Sequence, residues 1–558
     1  MTTDPTAPTL IRDLLPGDAQ KLRELLLTEH EDRCGQLGER WWRILRDAYQ
    51  STGPFMRSVD AVNTRAGGPG NYDNGRGLMG ALGRETYLTP FRRESAEAFT
   101  ARADRSAYAN HVAPVIDVYH GHLVRRRPER TTTDAAVAAW WKNADGRGHD
   151  VGEWVAGVAL RAQLNGWCAA LIDRPDNADP TIARKTAATT LDPCEIRDWQ
   201  IGLDGQFDWV RIVSEWEETD PATGEEVEYL EASIWTRTEW ARVRMVEGEN
   251  EQWTEVDRAG GLHSVGRAPV DVLRWQEQLD PRALYGLSQV QGVVPLALAL
   301  YQNESELTDH LANANFALLA VQGEPDALNN LAIGTNNGIT YPPGSAAPQF
   351  ISPGADVAMQ YALRSEQLRS AIYTAAKMEP PGAKANGGDA ASGIAKAYDF
   401  SQTDAGLQTF ARQLERFEYE CAALAAAWDA PAGAAPSAVA AKIADATAAT
   451  KIVYPQRFDA AGIRDDLGAM FAVLDDKIRP QMPPAVVREA RLGIARGLLP
   501  EATADVEAEY TGEAAAMFAR EAAQLAAAPA VDAAAEAAAA MDALPPAPPG
   551  ALTSTATP

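Results

Sequence analysis

The strongest constraint on the fold is a double change of hydrophobic period in the middle of the chain. Residues 293–315 place apolar side chains at helical spacing, and Pro295 suits the first turn of a helix. Residues 316–355 instead hold short apolar pieces separated by stretches rich in Gly, Pro and Asn, and residues 357–378 return to the helical period. We therefore expect two long helices flanking a strand-rich module, which is too small to fold alone. Both helices look too polar to form the core of a monomer.

Helical patterns continue toward the C-terminus. Paired Pro and Gly residues forbid a helix across residues 379–389, after which residues 390–428 read as one very long helix. A Pro/Ala/Gly linker at 429–438 leads to helical patterns over 439–522. The Ala/Pro-rich remainder cannot bury enough apolar surface to offset its ordering entropy, so we expect it to be disordered.

Helices are also predicted in the N-terminal half, over residues 1–65 and 94–127. The second of these patterns is interrupted at Pro114 and ends in the basic run Arg125, Arg126 and Arg127. Such a run complements the dipole of a helix C-terminus. The alternative is that it binds an anion or the carboxylate of a partner.

A helix-to-strand unit and an antiparallel meander are predicted next. Gly166 should end a helix that starts near residue 151, and residues 167–172 read as a short buried strand. Residues 191–275 then alternate with period two between turns rich in Gly, Asp and Pro. One side of this meander is acidic, which favours a solvated face. Its acidic residues are Glu215, Glu217, Glu218, Glu225, Glu226, Glu228 and Glu231.

Charge and composition narrow the class of protein. The chain has 558 residues, with 51 Lys and Arg against 77 Asp and Glu, and a net charge of −26. That charge excludes a generic basic nucleic-acid coat, which needs an excess of cations. No signal peptide and no apolar run of about 18 residues is visible, so we expect a soluble protein made in the cytoplasm, with no membrane partner. Four scattered Cys residues indicate buried free thiols in a reducing compartment.

Motifs for catalysis are lacking. The sequence has no GxSxG, HExxH, CxxC or phosphate-loop motif, and its seven His residues show no ligand spacing. We therefore predict no catalytic residue, no metal site and no cofactor, and an architectural rather than an enzymatic role.

The order of these parts resembles the portal (head–tail connector) proteins of tailed double-stranded DNA bacteriophages. The resemblance covers residues 70–520, and two phrases also look like that family: ALRAQLNGWCAALIDRP at 159–175 and the segment 453–510. It implies an α+β, mainly helical, portal-type fold assembled as a ring. By this resemblance the parts are an N-terminal region and α/β wing (1–290), a first stem helix (291–315), a clip (316–356), a second stem helix (357–378), a tunnel loop (379–389), a long wing helix with linker (390–438), a helical crown (439–522) and a tail (523–558).

The resemblance also implies partners and a place of action. Portal proteins form a ring of about twelve subunits at one capsid vertex of the virion, which is a head-to-tail closed assembly. Double-stranded DNA passes through the ring in packaging and in ejection. Partners implied are further copies of the chain, the terminase large subunit, a head–tail adaptor, and the major capsid and scaffolding proteins.

Residues at three places are candidates for these contacts. In the tunnel loop, Lys384, Asn386 and Gly387 would face DNA, although Lys384 could equally be an ordinary exposed lysine. In the clip, Asn329, Asn330, Asn336 and Asn337 would face the adaptor or terminase. On the stem helices, charged residues would pair between subunits or face the lumen: Glu304, Glu306, Asp309, Arg364, Arg369 and Lys377.

Three other interpretations stay open from the sequence. The chain could be another virion structural protein, such as a capsid or tail component. It could be a nucleic-acid enzyme, which would need clustered acidic metal ligands or a phosphate loop. It could also be a cytoplasmic helical scaffold.

Overall fold

The structure of the chain is a computed structural model. It describes residues 10–30, 39–55, 86–125 except 93, 127–174, 185–277 except 220–223, 225, 249–251 and 264, 284–314, 318–320, 349–351, 355–378, 393–430, 434–455 and 458. The chain divides into two compact units, residues 1–459 and 460–558, and the described residues all belong to the first.

Helices make up much of this first unit, and most of those predicted are confirmed. Two of the helical segments are short 3-10 helices, Gly53–Phe55 and Pro193–Glu195. The α-helices are α1 (Ile11–Leu14), α2 (Ala19–Leu27), α3 (Glu39–Gln50), α4 (Ala96–Arg105), α5 (Val112–Arg125), α6 (Ala135–Lys142), α7 (Val151–Asn165), α8 (Val294–Ala314), α9 (Ala355–Ala375), α10 (Gly393–Ala427) and α11 (Pro436–Ala449).

The described strands form four separate antiparallel sheets. They are β1 (Glu129–Thr132), β2 (Trp167–Asp173), β3 (Ala187–Leu191), β4 (Ile196–Ile201), β5 (Phe207–Thr219), β6 (Glu226–Thr236), β7 (Glu239–Glu247), β8 (Trp253–Leu262), β9 (Val270–Arg274), β10 (Leu318–Ala320), β11 (Gln349–Ile351) and β12 (Thr450–Val453). The predicted meander is confirmed as the sheet β4-β5-β6-β7-β8. The other sheets pair β3-β2-β9, β10-β11 and β1-β12. The fold of this unit is therefore mixed α+β.

The turn from α7 into β2 follows from local chemistry. Asp150 and Glu153 form a reciprocal capping box at the start of α7, which satisfies two free backbone N–H groups. Gly166 ends the helix in the left-handed conformation, with φ of 90°. A Cβ at Gly166 would lie 2.5 Å from the carbonyl oxygen of Gly286, so the close approach of two backbones requires glycine here.

Strand β2 separates the two larger hydrophobic clusters of the core. Because side chains alternate along a strand, Trp167, Ala169 and Leu171 enter one cluster, which also includes residues of α3, α5, α8 and α9. The intervening Cys168, Ala170 and Ile172 enter the other, which contains α7, α10 and α11. A third, smaller cluster packs α2 against the meander. The buried strand predicted from the sequence is thus confirmed, and both of its faces are covered.

Two predictions of secondary structure are wrong. The single helix expected over 94–127 is two helices, α4 and α5, separated at residues 106–111 rather than at Pro114. Pro114 lies in the first turn of α5, where its missing N–H has no helical partner to lose. The helical pattern predicted over 439–522 is also interrupted after Ala449, where residues 450–453 form β12 against β1. Residues 459–522 of that prediction lie outside the described residues. Thr450, Ile452 and Val453 are β-branched and favour a strand.

Candidate assembly site on the paired helices

Helices α8 and α9 form an antiparallel pair, with the β10–β11 ladder between them in the sequence. His310, near the end of α8, lies beside Tyr361, near the start of α9, with ring centroids 6.4 Å apart, and we call this the far end of the pair. At the opposite, near end, Leu300 and Ile372 both belong to the hydrophobic core. The ladder pairs Leu318 with Ile351. The helix–strand–strand–helix order predicted from the sequence is therefore present.

The near halves of the two helices are part of the core, contrary to the expectation that they are too polar for it. Leu300, Tyr301, Leu368 and Ile372 are each at most 4 % exposed. On α8 the polar residues follow Tyr301, in its second half, whereas on α9 they occur along the whole helix. The average over α8 therefore hid a division along its length.

A polar clamp joins the middle of the pair. Asn303 Nδ2 donates to the carbonyl oxygen of Tyr361 and to Ser365 Oγ, both at 3.0 Å. Arg369 Nη2 donates to Glu304 Oε1 at 2.7 Å, and its Nη1 donates to Glu366. Ser365 is 2 % exposed, so its hydrogen bond is made away from water.

Helix α4 holds α8 through a buried arginine. Arg102 is 1 % exposed and its guanidinium pairs with both carboxylate oxygens of Glu94, at 2.8 and 2.9 Å. Two further N–H groups donate to the carbonyl oxygen of Thr89 and to Ser305 Oγ on α8. The Arg102 guanidinium, by donating to Glu94, holds the pKa of that carboxyl below its usual range. Four of the five N–H groups of this buried guanidinium thus have a partner, which offsets much of the cost of burying the charge.

Further contacts fix the outer part of α8 to the same segment. Arg105 forms an ion pair with Asp309, and Gln302 Nε2 donates to Glu306 Oε1 at 2.7 Å. Gln302 Oε1 also accepts from the backbone N–H of Thr89 at 2.9 Å. The acidic residues of α8 are thus engaged within one chain.

The outer part of the helix pair exposes several apolar side chains. Met359 is 68 % exposed and Leu363 is 61 % exposed, one turn apart on α9. Val357 and, on α8, Leu311 are 41 % and 48 % exposed. Apolar groups in a row on a helix of a protein of this size are typical of a surface that another chain covers.

His111 lies near the C-terminal end of α9. Its Nδ1 is 3.2 Å from the hydroxyl of Tyr373, and the rings meet edge to face. Burial, and then the charge of Arg369, lower the pKa of His111 below the usual histidine value. The imidazole is therefore neutral at pH 7 and serves as a packing and hydrogen-bonding group.

The predicted site residues fall into two sets. Among the stem residues, Glu304 and Arg369 are brought together within one chain, Arg364 is exposed on α9, and Lys377 follows α9 with a positive φ of 56°. Pairing between subunits or a position at the lumen stays a prediction for all six. The tunnel-loop and clip residues lie outside the described residues: Lys384, Asn386, Gly387, Asn329, Asn330, Asn336 and Asn337.

Sequence reasoning missed the role of Arg102, Glu94 and Ser305. An arginine followed by another three residues later looks like an exposed helix surface, and nothing in the pattern indicates burial. The sequence offered one indication of burial, which is the spacing of three residues that places Phe99 and Arg102 on one helix face. In the structure the guanidinium lies 5.2 Å from the Phe99 ring.

Two kinds of feature are absent from the described residues. No group of three or more His, Cys, Asp or Glu residues there is arranged to hold a metal ion. None of the described helices is long and apolar enough to cross a membrane.

Solved structures with some likeness to the chain come from gene transfer agent particles. A chain of the virion of a native gene transfer agent particle is 12 % identical, with a TM-score of 0.35, over 70 % of this chain and 92 % of its own length. A chain of the neck of an empty gene transfer agent particle is 11 % identical, with a TM-score of 0.33, over 76 % and 95 %. No protein-family model and no curated protein matches the chain. TM-scores and identities this low carry no argument about what the chain does.

Proposed function

We propose that the chain is a portal protein, which forms a ring-shaped channel at one capsid vertex of a virion. Double-stranded DNA would be packaged through this ring by a terminase motor and would later leave through it, and head–tail adaptors would assemble on it. The single observation that carries the proposal is the antiparallel pair α8–α9 with its β10–β11 ladder, followed by the 35-residue helix α10. The order matches the stem, clip and wing of the family that the sequence resembles.

The surface of the helix pair supports a role in assembly. Its near end is anchored in the core and its middle in the Arg102 network, so the pair has a fixed position on the body. Its far half exposes Met359 and Leu363, which one copy leaves in contact with water. Covering such a row with a neighbouring copy in a head-to-tail contact yields a closed ring when the rotation per copy fits.

Electron microscopy of the purified full-length chain in negative stain tests the proposal. We expect rings of about a dozen subunits with a central hole, as closed heterologous contacts produce. A chain that stays monomeric at every concentration overturns the proposal. A monomer that cleaves DNA in the presence of a divalent cation would instead establish the enzyme interpretation.

A further inference from the structure

The β5–β6 hairpin ends in a region of one charge sign. Residues 214–231 contain eight Asp or Glu residues and no Lys or Arg. The two strands stay paired to Thr219 and Glu226, so the carboxylates lie on a defined ladder. Trp216 and Tyr229 stack across the strands, with ring centroids 5.6 Å apart, and hold this end in one conformation.

Like charges face each other on this hairpin end. Glu217 and Glu228 are direct partners in the ladder, which costs stability because their carboxylates repel. Burial, and next the charge of Glu247 on β7, raise the pKa of Glu228 above the usual glutamate value. The isolated chain therefore carries a local electrostatic cost here that a cation would relieve.

The chain supplies cations to only part of this region. Glu231 pairs with Arg244 at 2.6 Å, and Glu215 lies 3.7 Å from Arg197. For Glu217 and Glu226, no basic side chain lies within ion-pair distance in the part of the chain that the structure describes.

A matching pair of unpartnered cations lies elsewhere on the same chain. Arg125 ends α5, Arg127 leads into β1, and both are exposed. Neither forms an ion pair with any of the described residues. The two arginines adjoin the hydrophobic cluster that contains α7 and α10. The acidic hairpin end adjoins a different hydrophobic cluster, in which α2 packs against the meander.

We infer that the acidic hairpin end of one copy, through Glu217 and Glu226, binds Arg125 and Arg127 of a neighbouring copy. The inference rests on the proposed ring and names one of its subunit contacts. Two different patches of opposite charge make a heterologous contact, which is the type that generates rings. Complementary charge also steers neighbouring copies into the correct register. Arrangements in which two patches of the same charge meet are destabilised by repulsion.

Charge reversal on each side provides the test. We expect Glu217→Lys with Glu226→Lys, and separately Arg125→Glu with Arg127→Glu, each to weaken ring assembly about tenfold or more at physiological salt. An equal mixture of the two variant proteins should restore rings, because each lysine-bearing hairpin then meets a glutamate-bearing patch and each native hairpin meets a native patch. Light scattering after size exclusion measures the ring fraction, with the wild type as reference.

Matched controls separate this contact from a general charge effect. Glu24→Lys with Glu97→Lys, and Arg92→Glu with Arg147→Glu, reverse the same numbers of exposed charges elsewhere. We expect both controls to assemble like the wild type. Circular dichroism and the urea midpoint check that every variant is folded. If a reversal impairs folding, the neutral variants Glu217→Gln with Glu226→Gln and Arg125→Gln with Arg127→Gln replace it, and weaker assembly that depends less on salt is expected.

The outcomes distinguish this contact from the ring itself. If the wild type forms rings and the reversal variants assemble equally well, the contact is overturned and the proposed function stands. Folded variants that fail alone and also fail as a mixture overturn it too, because the two patches then do not meet. A wild-type chain that never forms rings overturns both.

Discussion

At the scale of single residues, the most buried charged side chain in the described part of the chain is that of Glu418 on α10, which is 0 % exposed. Arg130 on β1 donates to both of its oxygens, at 2.5 and 2.9 Å, and the hydroxyl of Tyr454 donates to Oε2 at 2.8 Å. Three segments far apart in sequence thus meet at one carboxylate. Burial raises the pKa of Tyr454 well above its usual value, so the phenol stays protonated and remains a donor.

Removing one partner of this group should be costly. We expect Arg130→Ala to lower the free energy of unfolding by about 3–5 kcal/mol, because it leaves the Glu418 carboxylate buried and uncompensated. The double variant Arg130→Met with Glu418→Met should recover much of that loss, since it removes both charges. Urea unfolding followed by circular dichroism measures the differences. Lys451→Ala is the matched control on the β1–β12 ladder. The Lys451 ammonium lies 3.4 Å from Glu129, but the side chain is 59 % exposed. This variant should lower the free energy of unfolding by less than about 1 kcal/mol. Equal losses for Arg130→Ala and Lys451→Ala would contradict the buried role.

Gly166 is the second residue whose identity the structure requires. We expect Gly166→Ala to destabilise the chain by about 2 kcal/mol or more, because it combines a left-handed φ with a Cβ placed 2.5 Å from a backbone oxygen. Gly157→Ala in the middle of α7 is the opposite case. A Cβ there meets only the side chain of Arg161 at 3.5 Å, so the change should stabilise the helix by about 0.5–1 kcal/mol. The urea midpoints of the two variants should move in opposite directions, and a shift of the same sign would refute the reasoning.

At the scale of elements, the pattern of the sequence predicts what depends on local periodicity. The meander, β2 and the long helices α8, α9 and α10 follow directly from period two or 3.6 in the hydrophobic residues. The β1–β12 ladder does not, because its strands are 318 residues apart at Thr132 and Thr450 and four residues long, so only tertiary pairing defines them.

The same reason explains why the Arg102 network at the candidate site could not be predicted. Its partners Glu94, Thr89 and Ser305 come together only through packing of α4 on α8.

The exposed row on α9 yields a prediction at this scale. We expect Met359→Glu with Leu363→Glu to prevent ring formation while leaving the fold of the monomer intact, because both side chains are more than half exposed in one copy. Leu14→Glu with Leu203→Glu is the control, since both leucines are at least as exposed but lie away from the helix pair. Negative-stain micrographs and circular dichroism read out assembly and folding. Rings of the α9 variant as abundant as those of the wild type would exclude this row from the subunit contact.

At the scale of the whole molecule, the net charge of −26 limits how the chain can handle DNA. Each phosphate contact by Lys or Arg adds affinity through counterion release. A tight grip would therefore oppose sliding of a duplex through a channel. Strong acidity is compatible with a channel that repels the duplex weakly and holds it at few points. Eight of the 77 Asp and Glu residues lie in residues 214–231, where the inferred contact between copies would use two of them.

Residues 379–389, the tunnel loop under the proposed portal function, give the sharpest prediction about the proposed channel. Lys384 is the only Lys or Arg in residues 379–389, so under the portal interpretation it is the one side chain of that loop able to pair with a phosphate. We expect Lys384→Ala combined with shortening of the loop to change the rate of DNA packaging and to release packaged DNA more readily, while rings still form. Lys384→Arg should behave like the wild type, because it keeps the cation. A packaging assay with a nuclease-protection readout measures both quantities. Unchanged packaging rate and unchanged DNA retention in the shortened Lys384→Ala variant would remove any DNA role from this loop, and the duplex would then be guided by other parts of the ring.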